Sequence, residues 1–179
     1  ICLEPHPSVF QNLKENIVIN GLNNVQIINK AVSNSKTGNM VTFFASDQEN
    51  FNTGLSSLNL NPDIGNHQKI KVENTRLDDV VSKIDNKVLL IKIDTQGGEL
   101  DIFYSSYEII KKNLPVVIFE FEEEYHSSPD QIRLKLMEFF RDLGYQLFTT
   151  PDKGNLMYRV NLNNYFRGDI IALPINKNF

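Results

Sequence analysis

The feature of this sequence that most constrains its fold is the apolar run "KVLLIKID" at 87–94, which leads directly into "TQGGE". A run this apolar is typical of a central strand in a parallel sheet, because only a strand with helices on both faces buries side chains on both sides. The two glycines and the glutamate then mark a short connection to a helix. The run therefore predicts a central strand, apolar on both faces, in an α/β domain.

Strand and helix patterns alternate along most of the chain. "ICLE" predicts a strand, and Val9, Leu13 and Ile17 predict a helix that ends at Asn20 and Gly21. Further patterns predict strands in "NVQIINKAV" and "KIKVENTRL", helices in "RLDDVVSKI" and at 97–112 and 129–143, strands at 115–121 and 145–149, and a final hairpin-like pair, "NLMYRVN" and "GDIIALP". Because crossover connections place successive strands parallel, we expect one α/β domain over 1–179, with a mostly parallel sheet and helices on both faces.

Composition excludes several classes of function. The 179 residues carry a net charge of −4, and Lys and Arg form no cluster suited to a phosphate backbone, so nucleic acid is not expected as a partner. The single cysteine, Cys2, permits no internal disulfide and no cysteine-based zinc motif, which is typical of a cytoplasmic protein. The longest apolar runs fall far short of the roughly 18 residues of a membrane span. No pattern indicates an oligomeric state.

Three predicted strands end on an acidic residue: Glu4, Asp94 and Glu120. Ligands of parallel α/β sheets bind beyond the carboxyl ends of the strands, so these side chains are candidates for a common site. Each also has a structural interpretation. Glu4 is equally a turn residue before a proline, Asp94 equally a helix N-cap, and Glu99 a first-turn carboxylate that suits the helix dipole.

Two further regions carry candidate residues. His126 follows the acidic run 122–124 and is either a general base or a surface or capping histidine, while the run itself is typical of a solvated face. The stretch "FNTGLSSL" lacks periodicity, and its Asn52, Gly54 and Ser56 belong either to a lid over the ligand or to a plain surface connection.

Together, "LEPHPSVFQNLKENIVINGLNNV", "INKAVSN", "FNTGLSSL", "TRLDDVV", "LLIKIDTQGGELDIF" and "PVVIFEFE" resemble the FkbM family of S-adenosylmethionine-dependent methyltransferases. The resemblance implies a Rossmann-like class I methyltransferase domain that binds S-adenosylmethionine. It implies that Glu4 holds the cofactor ribose, that Ala31 and Val32 lie beside the adenine, and that Asp94 faces the methyl group and the acceptor.

The sequence departs from the family pattern in two places. Gln96 stands where the family usually has Glu, and an amide is neither a base nor a strong metal ligand. The chain opens on Ile1 at the end of a predicted strand, without the first strand and Gly-rich loop that such methyltransferases use for the methionine end of the cofactor. We therefore expect a domain that is partial at its N-terminus.

The function expected from the resemblance is O-methylation of a hydroxyl on a sugar, a glycan or a secondary metabolite. Asp94 is the first candidate for the base that accepts the hydroxyl proton, followed by Glu99, Glu120 and His126. No ligand spacing requires a metal. Two alternatives remain from the sequence: a non-catalytic Rossmann-like remnant that binds a partner, and a nucleotide-dependent oxidoreductase that uses Glu4 on ribose, although no GxGxxG motif is visible.

Overall fold

The helices and strands of the computed structural model lie within the residues that it describes, which are 1–46, 56–58, 67–83, 87–149, 158–160 and 166–175. The α-helices are α1 (Pro7–Ile19), α2 (Leu77–Val81), α3 (Glu99–Ser105), α4 (Tyr107–Asn113) and α5 (Pro129–Asp142), and a 3-10 turn covers Glu123–Tyr125. The strands are β1 (Cys2–Leu3), β2 (Ile27–Ile28), β3 (Ala31–Val32), β4 (Met40–Ser46), β5 (His67–Thr75), β6 (Leu90–Ile93), β7 (Val116–Phe121), β8 (Tyr145–Thr149), β9 (Tyr158–Arg159) and β10 (Gly168–Pro174).

The strands form mixed sheets. The five-stranded sheet has the order β6-β7-β10-β8-β9, the three-stranded sheet the order β3-β5-β4, and β1 pairs with β2. The parallel pairs are β1 with β2, β3 with β5 and β6 with β7, whereas β4 with β5, β7 with β10, β10 with β8 and β8 with β9 are antiparallel. The α/β class is confirmed, but the expectation of a mostly parallel sheet is wrong, because the last strand enters antiparallel between β7 and β8.

The strand β6 differs from its sequence pattern. Ile91 and Ile93 are buried, but Leu90 is 56% exposed and Lys92 is also exposed. Within the described strands, β6 is the edge of its sheet and pairs with β7 alone. The prediction of a central strand buried on both faces is therefore wrong for the described residues, since periodicity does not reveal which face has a packing partner. A first strand and Gly-rich loop outside this sequence stay a prediction.

Three other predicted elements are divided or paired differently. The strand expected in "NVQIINKAV" is two short strands in different sheets, since β2 pairs with β1 and β3 pairs with β5. The helix expected at 97–112 is two helices, because the hydroxyls of Ser105 and Ser106 both donate to the carbonyl of Ile102 and replace helical hydrogen bonds there. The final hairpin is not observed between its predicted members, since β9 pairs with β8 and β10 lies on the other side of β8. A pairing partner is a tertiary property that strand propensity does not specify.

The main hydrophobic core lies between the five-stranded sheet and helices α3, α4 and α5. Its centre is a group of fully buried rings, Phe103, Phe119 and Phe140. Phe103 meets the other two edge-on at centroid distances of 5.1 and 4.8 Å, and Phe119 stacks on Phe140 at 5.6 Å. Edge-to-face and offset contacts of this kind stabilise the fold beyond the free energy that comes from burying the apolar area of the rings. They fix α3, and the turn before it, against β7.

A buried arginine ties helix α5 to the ends of β7 and β10. Arg133 is only 6% exposed, and its guanidinium lies over the rings of Phe121 and Phe166 at 5.3 and 5.6 Å. Its Nε donates to the Phe166 carbonyl at 3.2 Å, and its terminal nitrogens pair with Glu123 and Asp130. The charge is thus satisfied on every side, which a buried cation requires.

The longest helix in the part of the chain that the structure describes is α5, with 14 residues, and no helix there is long and apolar enough to cross a bilayer.

Replacement of Arg133 by Ala is expected to lower the free energy of unfolding by about 2–3 kcal/mol, because charge-assisted hydrogen bonds and packing are lost together. Urea unfolding followed by circular dichroism measures it. The matched control is Arg141→Ala, on the same helix, whose side chain is 58% exposed and, among the described residues, pairs with its neighbour Asp142 alone. That change is expected to cost less than about 0.5 kcal/mol. Equal losses for the two variants would contradict the role of the buried cation.

Candidate functional site

A cleft of about 190 Å³ lies where the carboxyl ends of β1, β3 and β6 come together. Strand ends are the usual ligand position in α/β folds. The lining residues come from these strand ends, from β4, from the segment 56–58, from the turn after β6 and from α3: Leu3, Glu4, Pro5, Lys30, Ala31, Val32, Phe43, Ser56, Ser57, Leu58, Asp94, Thr95, Gln96, Gly98 and Ile102.

Glu4 lines this cleft. The local sequence sets its position. Its Oε1 accepts the backbone N–H of His6 at 2.7 Å, and Pro7 begins helix α1. The Asn29 side chain donates to the Glu4 carbonyl at 2.8 Å, which ties the turn to the residue after β2. Burial raises the pKa of Glu4, while the His6 hydrogen bond opposes that shift. Glu4 therefore closes a turn and lines the cleft at once.

Ala31 and Val32 form the adjacent wall. They are strand β3, they pair with the end of β5, and Ala31 is fully buried. Glu4, Ala31 and Val32, which the sequence suggested as one group, thus line the same cleft.

Asp94 also lines the cleft and comes directly after β6. Its carboxylate is 56% exposed and pairs with the Lys92 ammonium at 2.6 Å. It does not cap the next helix, because α3 begins at Glu99 with Gly98 at the N-cap and without a side-chain cap. The capping interpretation of Asp94 is therefore not what the structure shows.

Glu120 is the neighbour of Asp94. Since Ile93 lies opposite Phe119 in the parallel pair, the next residue on each strand is an acid, and Asp94 lies beside Glu120. Burial first, and then the charges of Asp94, Glu122 and Asp169, raise the pKa of Glu120. The strand ends therefore carry a carboxyl pair that holds a proton more readily than a lone carboxylate.

Glu99 and His126 lie beneath the cleft rather than on its wall. The Glu99 side chain is 1% exposed and the His126 side chain 5%, and Glu99 Oε2 lies 3.3 Å from His126 Nε2. Neither residue is among those that line the cleft. His126 is not a surface residue, since its ring stacks on Phe121 at 4.8 Å. It does cap the 3-10 turn, because its backbone N–H donates to the Glu123 carbonyl at 3.0 Å.

The acidic run after β7 is partly neutralised by arginines. Arg167 contacts Glu122 at 2.6 Å and Glu124 at 3.6 Å, and Glu123 pairs with Arg133. The run is therefore a set of ion pairs, not only the solvated face that its composition suggested.

The segment 56–58 covers the cleft from the β4 side. The Ser46 amide donates to Ser56 Oγ at 2.9 Å, and the Ser57 hydroxyl donates to the Gln96 carbonyl. Ser56 thus lies where the sequence placed a lid or binding loop. Asn52 and Gly54, proposed for the same role, lie outside the described residues.

Sequence reasoning missed several lining residues. Lys30 and Thr95 stood inside quoted motifs, next to residues that were selected, so adjacency was an available signal. Leu58 also stood inside a quoted motif, two residues after Ser56. Phe43 had no such signal, because the antiparallel β4 reaches the cleft only through tertiary packing. In the residues described, no group of three or more His, Cys, Asp or Glu side chains is placed to hold a metal ion.

Comparison with known proteins agrees with this architecture. The model of the methyltransferase FkbM domain matches residues 1–147. The crystal structure of methyltransferase FkbM from Methylobacillus flagellatus superimposes with a TM-score of 0.54 at 15% identity, over 95% of this chain and 35% of that one. This chain thus spans about a third of the length of that protein, and the likeness shows the fold. No curated protein sequence matches. Because the family model covers most of the chain, the protein belongs to the FkbM methyltransferase family.

Proposed function

We propose that the protein is an S-adenosylmethionine-dependent O-methyltransferase whose acceptor is a hydroxyl of a sugar, a glycan or a secondary metabolite. One observation carries the proposal: Glu4 and Asp94, from strand ends far apart in the sequence, line one cleft. The acceptor class follows from the family resemblance. We also propose a cytoplasmic location, which the single cysteine supports.

The lining residues suit an adenosine-bearing cofactor. The Glu4 carboxylate offers acceptors to ribose hydroxyls, and Leu3, Ala31 and Val32 offer an apolar wall to a purine. Gln96 also lines the cleft, and within the described residues its buried Oε1 has no hydrogen-bond partner. When bound, S-adenosylmethionine supplies an electrophilic methyl group on a good leaving group.

The protein's share of the chemistry is to orient the acceptor and remove its proton. Asp94 lines the cleft and is half exposed, and Glu120 lies beside it on the neighbouring strand. A proton taken by Asp94 from the acceptor hydroxyl is shared with Glu120, whose raised pKa favours protonation. Lys92 balances the charge of Asp94 before the reaction.

The sequence also suggested a non-catalytic relative. Gln96 supports that alternative, because an amide cannot act as a base where the family usually has a carboxylate. The catalytic proposal assigns the proton to Asp94 and Glu120 instead, so it does not require a carboxylate at 96.

Isothermal titration tests cofactor binding. We expect the purified protein to bind S-adenosylmethionine and Glu4→Ala to weaken that binding by about tenfold or more, since a hydrogen bond to a charged group is removed. Glu15→Ala, on the exposed face of α1, is the control and is expected to leave the affinity unchanged. No binding by the unaltered protein would argue for the non-catalytic alternative and against the enzyme.

Asp94→Asn is expected to lower methyl transfer by about 10²–10⁴-fold, the usual contribution of a general base. The assay follows radiolabelled methyl groups from S-adenosylmethionine into a panel of sugars, glycans and hydroxylated metabolites. Because Asp94 is half exposed, the midpoint of thermal unfolding is expected to shift little. Full activity of this variant would remove Asp94 from the mechanism.

Glu120→Gln is expected to lower activity and raise stability together. A carboxyl whose pKa is raised on folding stabilises the protein fully below its ordinary value of 4.5 and loses that contribution as the pH rises through the raised value. The glutamine variant has no such loss, so its unfolding midpoint should exceed that of the unaltered protein by about 1–3 °C at pH 7, with the difference vanishing near pH 4. Thermal unfolding of both proteins between pH 4 and pH 7 measures the difference in midpoint. A difference that does not change with pH would contradict a raised pKa of Glu120.

A further inference from the structure

The three buried side-chain atoms without a hydrogen-bond partner in the described residues are Gln96 Oε1, Glu99 Oε2 and His126 Nε2. Native proteins contain few such atoms, and their concentration in one place calls for a physical explanation. Gln96 lines the cleft, and Glu99 and His126 lie under the same turn. The turn 95–97 therefore links the cleft to a buried acid and a buried histidine.

The Glu99 carboxylate holds this turn by two hydrogen bonds. Its Oε1 accepts the Thr95 hydroxyl at 3.0 Å and the Gly97 backbone N–H at 3.1 Å. Both donors flank Gln96, so a single carboxylate oxygen fixes the residues on either side of it. Hydrogen bonds to a buried charged acceptor are among the stronger ones in proteins.

The other sides of the turn are held by packing and by one further hydrogen bond. Gly97 has φ +81°, and a Cβ at this position would lie 2.6 Å from the Tyr125 carbonyl oxygen, so the backbone of the turn presses directly on the residue before His126. From the cleft side, the Ser57 hydroxyl donates to the Gln96 carbonyl. Little freedom is left for the Gln96 backbone.

His126 lies against the Glu99 carboxylate. Its Nε2 lies within ion-pair distance of Glu99 Oε2, but the two atoms are not aligned for a hydrogen bond. The stack on Phe121 therefore sets the orientation of the ring, and the ring in turn limits where the Glu99 carboxylate can lie. The guanidinium of Arg133 covers the Phe121 ring, so helix α5 packs against the ring on which His126 stacks.

We propose that Glu99, confined by His126, is a positioning residue: it fixes the turn 95–97 and so presents Gln96 to the ligand. In this proposal Glu99 and His126 do not contact the reacting atoms. They act by setting the position of Gln96. The consequence for ligand binding rests on the proposed function, whereas the position of the turn is a property of the protein alone.

The test measures the turn first, in the ligand-free protein. Amide hydrogen exchange by NMR is expected to be about tenfold faster at Gly97 in Glu99→Ala, because its acceptor is lost, and within about threefold of the unaltered protein in Glu99→Gln, whose amide oxygen still accepts. Amides of α5 should be unaffected in both. The control Glu138→Ala removes an exposed carboxylate from α5 and should change neither region.

His126 is tested in the same way. His126→Phe keeps a ring on Phe121 and should retain protection at Gly97, whereas His126→Ala removes the ring and should lose it. If Glu99→Ala does not fold, this pair and Glu99→Gln still decide the proposal. Unchanged exchange at Gly97 in His126→Ala and in Glu99→Ala would overturn it, as would a glutamine variant that exchanges as fast as the alanine variant.

Affinity for S-adenosylmethionine is measured on the same variants. We expect a loss of about tenfold in Glu99→Ala and rescue to within about threefold in Glu99→Gln, a pattern that general destabilisation does not produce. Lost protection at Gly97 with unchanged affinity would overturn the role of the turn in binding. No binding by the unaltered protein would overturn the proposed function, and the exchange data alone would then decide whether Glu99 positions the turn.

Discussion

The parallel pairing of β6 with β7 is the constraint on which the site depends. Its register sets Ile93 opposite Phe119 and so brings Asp94 beside Glu120. The chain then continues from both strands in the same direction, and the turn after β6 meets the residues after β7. The close approach of Gly97 to Tyr125 and the facing of Glu99 and His126 both follow from that meeting. A shift of one residue in this register would turn the side chains of β6, and Asp94 after them, to the other face of the sheet.

Charge at these strand ends is organised in two layers. Burial, and then the charges of Asp94, Glu122 and Asp169, raise the pKa of Glu120, so several carboxyl groups lie together next to the cleft residue Asp94. Behind it, Arg167 pairs with Glu122 and the buried Arg133 pairs with Glu123. The arginines neutralise the outer carboxylates, which limits the electrostatic repulsion that a wholly unpaired acidic run would impose on the fold. The acidity near Asp94 is thereby retained at lower cost to stability.

Most elements were predictable from the sequence, since helical spacing and short apolar runs report local burial. The strand at 145–149, the helix from 129 and the strand end at Glu4 are examples. Strand partners were not predictable: β10 lies between β7 and β8, and β9 pairs with β8 instead of β10. In the site, Glu4, Ala31, Val32, Ser56 and Asp94 line one cleft. Phe43 could not be found in advance, because nothing local marks a residue that reaches a cavity from another sheet.

By itself, the sequence determined the residue types at the strand ends, the glycines Gly97 and Gly98 before α3, and the family to which the chain belongs. These are local properties, because an acid, an amide or a glycine has the same chemistry wherever the chain places it. Only the tertiary structure decided that Glu99 and His126 are buried together while Asp94 remains open to the cleft. The reason is that solvent exposure depends on what packs over a side chain from distant parts of the chain, and spacing along one strand or helix carries no information about that.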